Sequence, residues 1–284
     1  MSVAIVGVVG AGLMGSGIAQ VCATANMKVV IHDINDAAIQ KGVASINSSL
    51  SRLVAKEKLT EAEKDSILAR IAGSVDTTAL KDVDFLIEAA SEDVKIKSEI
   101  IRSLEAVVSF DCIIASNTSS ISITKLARSL KNPKRFVGMH FFNPVPLMSL
   151  VEVIRGFQTD EVSFEATREL AQRLGKVAIA VNNAPGFVVN RILCPMINEA
   201  IFVLQEGLAS KEEIDEGMKL GANHPIGPLA LADLVGLDTF LSVMNVFHEE
   251  FNEPKYRPAR LLKEMVDAGH LGRKTGRGFY QYAS

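Results

Sequence analysis

Val8-Val-Gly-Ala-Gly-Leu-Met-Gly15 closes an apolar run that starts at Val3, places glycines at positions 10, 12 and 15, and passes into a helical pattern from about Gly12. A strand that breaks at a Gly-x-Gly-x-x-Gly turn and re-emerges as a helix opens a dinucleotide-binding unit. Gly10 makes the tight turn, Gly12 lets a pyrophosphate approach the backbone, and Gly15 lets helix and strand pack closely. Leu13 and Met14 complete the cofactor-binding turn, where free amides and the positive end of the helix dipole receive phosphates. A second apolar run, Lys28-Val-Val-Ile-His-Asp33, ends in an acid where a ribose-binding carboxylate belongs. A carboxylate at the 2′-hydroxyl repels a 2′-phosphate, so Asp33 points to NAD rather than NADP.

Outward from this turn, short apolar runs alternate with helical patterns. Strands are predicted at Val3–Val9, Lys28–His32, Phe85–Ala89, Cys112–Ser116, Phe136–Phe142, Leu150–Ile154 and Lys176–Val181. Helices are predicted from Gly12 and from Asp36, which is the βαβ grammar of a parallel sheet. Thr60 followed by Glu63 reads as a capping box opening a further helix through Ile71, part of a helical insertion that also carries Arg52, Lys56 and Lys58. Beyond Pro185-Gly186 the strand signal ends. Helices are predicted to about Gln205, from the Ser210/Glu213 capping pair, and as one long element around Ala230–Phe251. The expected fold is α/β: a Rossmann-type, doubly wound, mostly parallel sheet with a helical insertion in residues 1–184, then an all-α domain in residues 185–284.

Composition agrees with two globular domains: 284 residues, 48% hydrophobic and 22% charged. A formal charge of −3 lacks the clustered basic excess of a nucleic-acid binder, which leaves small-molecule partners. Cys22, Cys112 and Cys194 are widely spaced in apolar sequence, without CxxC or Cys/His metal spacing, and read as reduced core residues with no metal site. The chain starts directly on an apolar strand, and the longest apolar stretch, Phe187 to Leu204, is interrupted by Asn190, Arg191, Asn198 and Glu199. A cytoplasmic protein with no membrane partner is expected.

Polar residues set in apolar surroundings are the catalytic candidates: Ser119 within Ser116-Asn-Thr-Ser-Ser120, His140 within Met139-His-Phe-Phe-Asn-Pro144, and Glu152 within Leu150-Val-Glu-Val-Ile154. Strand alternation puts Glu152 on the face of Leu150 and Ile154, where a buried acid needs a partner. An imidazole suits it, because the acid fixes one ring nitrogen while the other takes a proton. Each residue also has a plainer reading. A lone His in an apolar strand is more often a satisfied core or loop residue than a catalyst, Glu152 fits an exposed edge strand, and Ser119 and Ser120 fit caps for a helix beginning near Ile121. Asn190, on a helical face with Gly186, Phe187, Leu193 and Ile197, is either a packing hydrogen bond or a site residue. Spacing alone leaves these open.

Taken together, the motifs resemble the L-3-hydroxyacyl-CoA dehydrogenase family along essentially the whole chain. The resemblance runs from Gly10-Ala-Gly-Leu-Met-Gly15 through Ala115-Ser-Asn-Thr-Ser-Ser120, His140-Phe-Phe-Asn-Pro-Val-Pro146, Leu150-Val-Glu-Val153 and Pro185-Gly-Phe-Val-Val-Asn-Arg191 to Gly272-Arg-Lys-Thr-Gly276 and Gly278-Phe-Tyr280. It implies NAD-dependent oxidation of (S)-3-hydroxybutyryl-CoA to acetoacetyl-CoA, and the reverse reduction. By the same resemblance His140 is the base, Glu152 its partner, and Ser119 and Asn190 hold the reacting oxygen or the neighbouring carbonyl. It further implies NAD contacts from Glu92, Lys97, Ser119, Asn143 and Lys274, CoA contacts from Ser49 and Lys56, and a homodimer formed through the helical domain. Two other readings compete: a hydroxyacid or sugar-acid dehydrogenase that uses no CoA, and an inactive protein that keeps only the fold.

Overall fold

β1 (Ile5–Val9), α1 (Leu13–Thr24) and β2 (Lys28–His32) realise the predicted opening in a computed structural model that describes residues 3–282. The chain continues through α2 (Asp36–Val54), α3 (Glu61–Leu68), β3 (Ile71–Ser74), β4 (Phe85–Glu88), α4 (Val94–Glu105), β5 (Ile113–Ser116), α5 (Ile123–Ala127), β6 (Phe136–Phe141), β7 (Leu150–Arg155), α6 (Glu161–Arg173) and β8 (Val177–Asn182). One eight-stranded sheet has the order β3-β2-β1-β4-β5-β6-β7-β8. Its neighbours pair in parallel, except that β6 and β7 are antiparallel. The central strands read as unbroken apolar runs because both faces are covered: β4, β5 and β6 are buried at every position. Strand order reverses between β1 and β4, and a ligand crevice opens at the carboxyl ends of strands at such a switch point.

The helical unit contains α7 (Val189–Gln205), α8 (Lys211–Gly221), α9 (Pro228–Val235), α10 (Leu237–Phe251) and α11 (Arg260–Asp267) around a core that includes Ile201, Leu229, Phe240, Met244 and Phe247. Backbone contacts divide the chain into Met1–Ala184 and Pro185–Ser284. Among the described residues no single helix is long and apolar enough to cross a membrane.

Both capping boxes form, at Thr60/Glu63 and Ser210/Glu213. Four local expectations need correction. The helix opened by Thr60 stops at Leu68, and Ile71 instead starts β3, a short strand at the sheet margin. The element expected at Ala230–Phe251 is two helices, α9 and α10, bent by 99° at Gly236, whose φ of 98° cannot continue a helix. Gly186 and Phe187 have φ of 72° and 53° and precede α7, so Asn190 lies in the first turn of the helix rather than midway along a stripe containing them. The cap of α5 is Ser122, which accepts from Lys125 N, and neither Ser119 nor Ser120 fills that position.

Candidate active site

A cleft of about 760 Å³ opens beyond β1, β2 and β4, lined among others by Gly10, Gly12, Met14, Asp33 and Ile96. Gly10 has φ 100°, and a Cβ there would come within 2.7 Å of the Ala89 carbonyl oxygen. A Cβ on Gly15 would overlap the Gly10 carbonyl oxygen, so the close crossing of α1 over the turn requires glycine. Asp33 does more than wait for a ribose: Oδ2 accepts from Ala11 N and Oδ1 from Ile34 N, each at 2.7 Å, which ties the glycine turn to the end of β2. Open space at Gly12, the start of α1 and the partly exposed Asp33 together fit a dinucleotide.

Further along the same sheet, antiparallel pairing sets His140 directly opposite Glu152. Directly opposed residues share a face, and here His140 Nδ1 lies 2.7 Å from Glu152 Oε2. The pair is 5% and 0% exposed. Glu152 is not on an exposed edge, because β8 covers the far side of β7. With a carboxylate accepting from Nδ1–H, Nε2 is the basic nitrogen of the neutral ring. The imidazole packs at 4.5 Å against Phe142, and Asn117 Oδ1 accepts from Phe141 N at 2.8 Å, fastening the end of β6 to the loop after β5.

Ser119 sits in that loop, held by Glu92: Oε1 accepts from Thr118 Oγ1 at 2.6 Å, from Ser119 N at 2.8 Å and from Ser119 Oγ at 3.2 Å. Burial pushes the Glu92 carboxyl up, but the Lys97 charge and the hydrogen bonds from Thr118 and Ser119 outweigh this and hold it below the usual carboxylate range. Lys97 is no solvated helix residue. It is 1% exposed and donates from Nζ to both oxygens of Glu88, at 2.8 and 3.0 Å.

The remaining sequence candidates are more scattered. Ser49 and Asn143 line a recess of about 100 Å³ with Gln20, Arg52 and Pro146. Lys56 stands exposed in the turn after α2, outside that recess. Asn190 and Lys274 belong to the helical unit, where Lys274 Nζ lies 2.6 Å from the Asp238 carboxylate. Glu88 and Asn117 were given no role in the sequence. An acid ending the apolar run Phe85-Leu-Ile-Glu88 was the available signal for Glu88, since a charge on a buried strand requires a partner. Burial pushes the thiols of Cys22, Cys112 and Cys194 up to about 12, so none supplies a thiolate near neutral pH.

Two family models account for the chain: the 3-hydroxyacyl-CoA dehydrogenase NAD binding domain over residues 5–184 and the C-terminal domain of the same family over residues 186–282. The chain belongs to the 3-hydroxyacyl-CoA dehydrogenase family. Within that family it is 52% identical to a 3-hydroxybutyryl-CoA dehydrogenase of Bradyrhizobium diazoefficiens, over 98% of this chain and 94% of that protein. It is 50% identical to one from Clostridioides difficile, over 97% and 98%. The crystal structure of an (S)-3-hydroxybutyryl-CoA dehydrogenase from Ralstonia eutropha superposes with a TM-score of 0.98 at 62% identity, covering all of both chains. Membership makes this chain an NAD-dependent oxidoreductase, its NAD-binding domain being residues 5–184.

Proposed function

We propose that this dehydrogenase interconverts (S)-3-hydroxybutyryl-CoA and acetoacetyl-CoA with NAD as its redox partner. The observation that carries the reading is the buried His140–Glu152 contact of 2.7 Å, set in strand register on the sheet that also forms the dinucleotide cleft. Bound NAD supplies the acceptor for the hydride that leaves C3. His140 Nε2 takes the proton of the 3-hydroxyl, and the Glu152 carboxylate stabilises the imidazolium and keeps the ring from rotating. In the reverse direction the same imidazolium returns the proton to the new alkoxide. Ser119 Oγ is a polar contact to the substrate, and Asn190 a second by the family pattern. Ser49 and Lys56 are proposed CoA contacts, while Glu92, Lys97, Ser119, Asn143 and Lys274 are proposed on the cofactor side. A homodimer through the helical unit and a reducing cytoplasmic setting complete the proposal, the latter in keeping with three buried thiols.

The test is NADH oxidation with acetoacetyl-CoA beside free acetoacetate. Turnover with the thioester and little with the free acid is expected; equal rates would favour a dehydrogenase that ignores CoA, and no rate with either would defeat the proposal. In the same assay Lys56→Ala should raise the acetoacetyl-CoA KM and leave the NADH KM unchanged, and an unchanged thioester KM would make Lys56 a solvated surface residue.

Asp33 supplies a second prediction. Asp33→Asn keeps an acceptor for Ala11 N but removes the charge that repels a 2′-phosphate, so the preference for NADH over NADPH should narrow, read as the ratio of kcat/KM values. A wild-type protein that uses both cofactors equally would overturn it.

A further inference from the structure

Lys176, between α6 and β8, is a buried cation whose ammonium meets main chain instead of a carboxylate. Its Nζ donates to two carbonyls, Val145 O at 2.7 Å and Met148 O at 2.8 Å. Burial pulls this lysine below the usual lysine range. Withdrawing a cation from water is unfavourable, so the two carbonyls must offset that loss, and each would lack this donor without it.

Both carbonyls belong to residues 142–149, the loop that joins β6 to β7. His140 lies just before this loop and Glu152 just after it, so the loop connects the two strands of the dyad. Its own turn is closed by Leu147 N and Met148 N, which donate to Pro144 O at 2.9 and 3.0 Å. Helix α1 holds it as well: Val145 is buried, and a Cβ on Gly17 would come within 2.8 Å of Val145 Cβ. The segment is therefore packed on the helix that leaves the glycine turn and is tied by charge to the start of β8.

We propose that Lys176 is a positioning residue for cofactor binding: its ammonium fixes the β6–β7 loop against α1 and so sets Asn143 in the recess that it lines with Gln20 and Ser49. Lys176 does not line that recess and acts through the loop. This rests on the reading of Asn143 as a cofactor contact. The dyad is held separately, because Asn117 Oδ1 accepts from Phe141 N and the β6–β7 pairing sets His140 opposite Glu152.

The experiment uses Lys176→Met, which keeps most of the apolar stem and removes the donor. Amide hydrogen exchange at Leu147 and Met148 is followed without any ligand, beside the NADH KM and kcat with acetoacetyl-CoA. Both amides should exchange about tenfold faster, the scale of one lost hydrogen bond, and the NADH KM should rise by about the same factor while kcat stays near the wild type. A variant that merely loses folded protein lowers kcat and leaves KM unchanged; that pattern would overturn the proposal, as would wild-type exchange at both amides. In an Asn143→Ala background Lys176→Met should add little to the NADH KM, and fully additive effects would contradict action through Asn143. Should Lys176→Met fail to fold, Lys176→Gln, a neutral donor on a shorter stem, decides by the same two readouts. Asn143→Ala alone separates the two readings: a wild-type NADH KM there would remove the cofactor role of Asn143, while exchange at Leu147 and Met148 still judges the hold of Lys176 on the loop.

Discussion

Turnover is expected to fall by about a hundred- to ten-thousand-fold when His140 is replaced by alanine, the usual share of general acid–base catalysis. The loss follows from geometry. His140 is the ring whose Nδ1 is committed to a buried carboxylate at 2.7 Å, and alanine leaves no group at that place to accept the hydroxyl proton. NADH binding survives, because His140 lies on β6, whereas the cleft lies beyond β1, β2 and β4. The variant does leave Glu152 buried beside a void, at a cost of about 1–3 kcal/mol in stability for the lost partner. A thermal melt beside the kinetics separates that cost from the chemical one: lower turnover with the fold retained is the expected pattern, and near-wild-type turnover would remove His140 from the mechanism.

Gly12→Ala is expected to leave the fold nearly intact and to weaken NADH binding at least about tenfold, one blocked phosphate contact in a tight site. Gly12 has φ −70° and ψ −167°, an extended conformation open to any residue, and a Cβ there meets nothing within 4 Å. The added methyl group therefore costs the free protein little. It fills the space through which the pyrophosphate must approach the amides at the start of α1. Gly15→Ala is the contrasting case, since its methyl group overlaps the Gly10 carbonyl oxygen. That variant should lose about 1–3 kcal/mol of stability as well as cofactor affinity. Melting temperature and NADH fluorescence titration together distinguish the two. A Gly12→Ala protein that binds NADH normally would show that the phosphates do not pass over this turn.

The chemistry of these sites was legible in the sequence where local rules decide structure. The glycine turn, Asp33 at the end of β2 and both capping boxes depend on neighbours a few residues apart, and all form. The pairing of His140 with Glu152 was suggested by two polar residues in apolar runs, but only the antiparallel turn between β6 and β7 sets them opposite each other, and the alternation of each strand does not reveal that register. Lys97 shows the opposite limit. Its helix, α4, is amphipathic, and the sequence places the lysine only through the resemblance, as an NAD contact; its burial on the face of Ile101 and Leu104 and its pairing with Glu88 depend on the topology that brings α4 and β4 together. The break at Gly236 was missed because the apolar pattern continues across it, and the positive φ that stops the helix leaves no trace in hydropathy.

Turnover of acetoacetyl-CoA with NADH by the wild type, His140→Ala, Glu152→Gln and the double variant tests the His140–Glu152 dyad most directly. Glu152→Gln keeps the size and a hydrogen-bonding side chain but removes the charge that stabilises the imidazolium, so turnover should drop while NADH affinity and the fold are retained. Because both residues serve one proton transfer, the double variant should lose much less than the product of the two single losses. Fully multiplicative losses would contradict the dyad and leave His140 and Glu152 as two independent contributors.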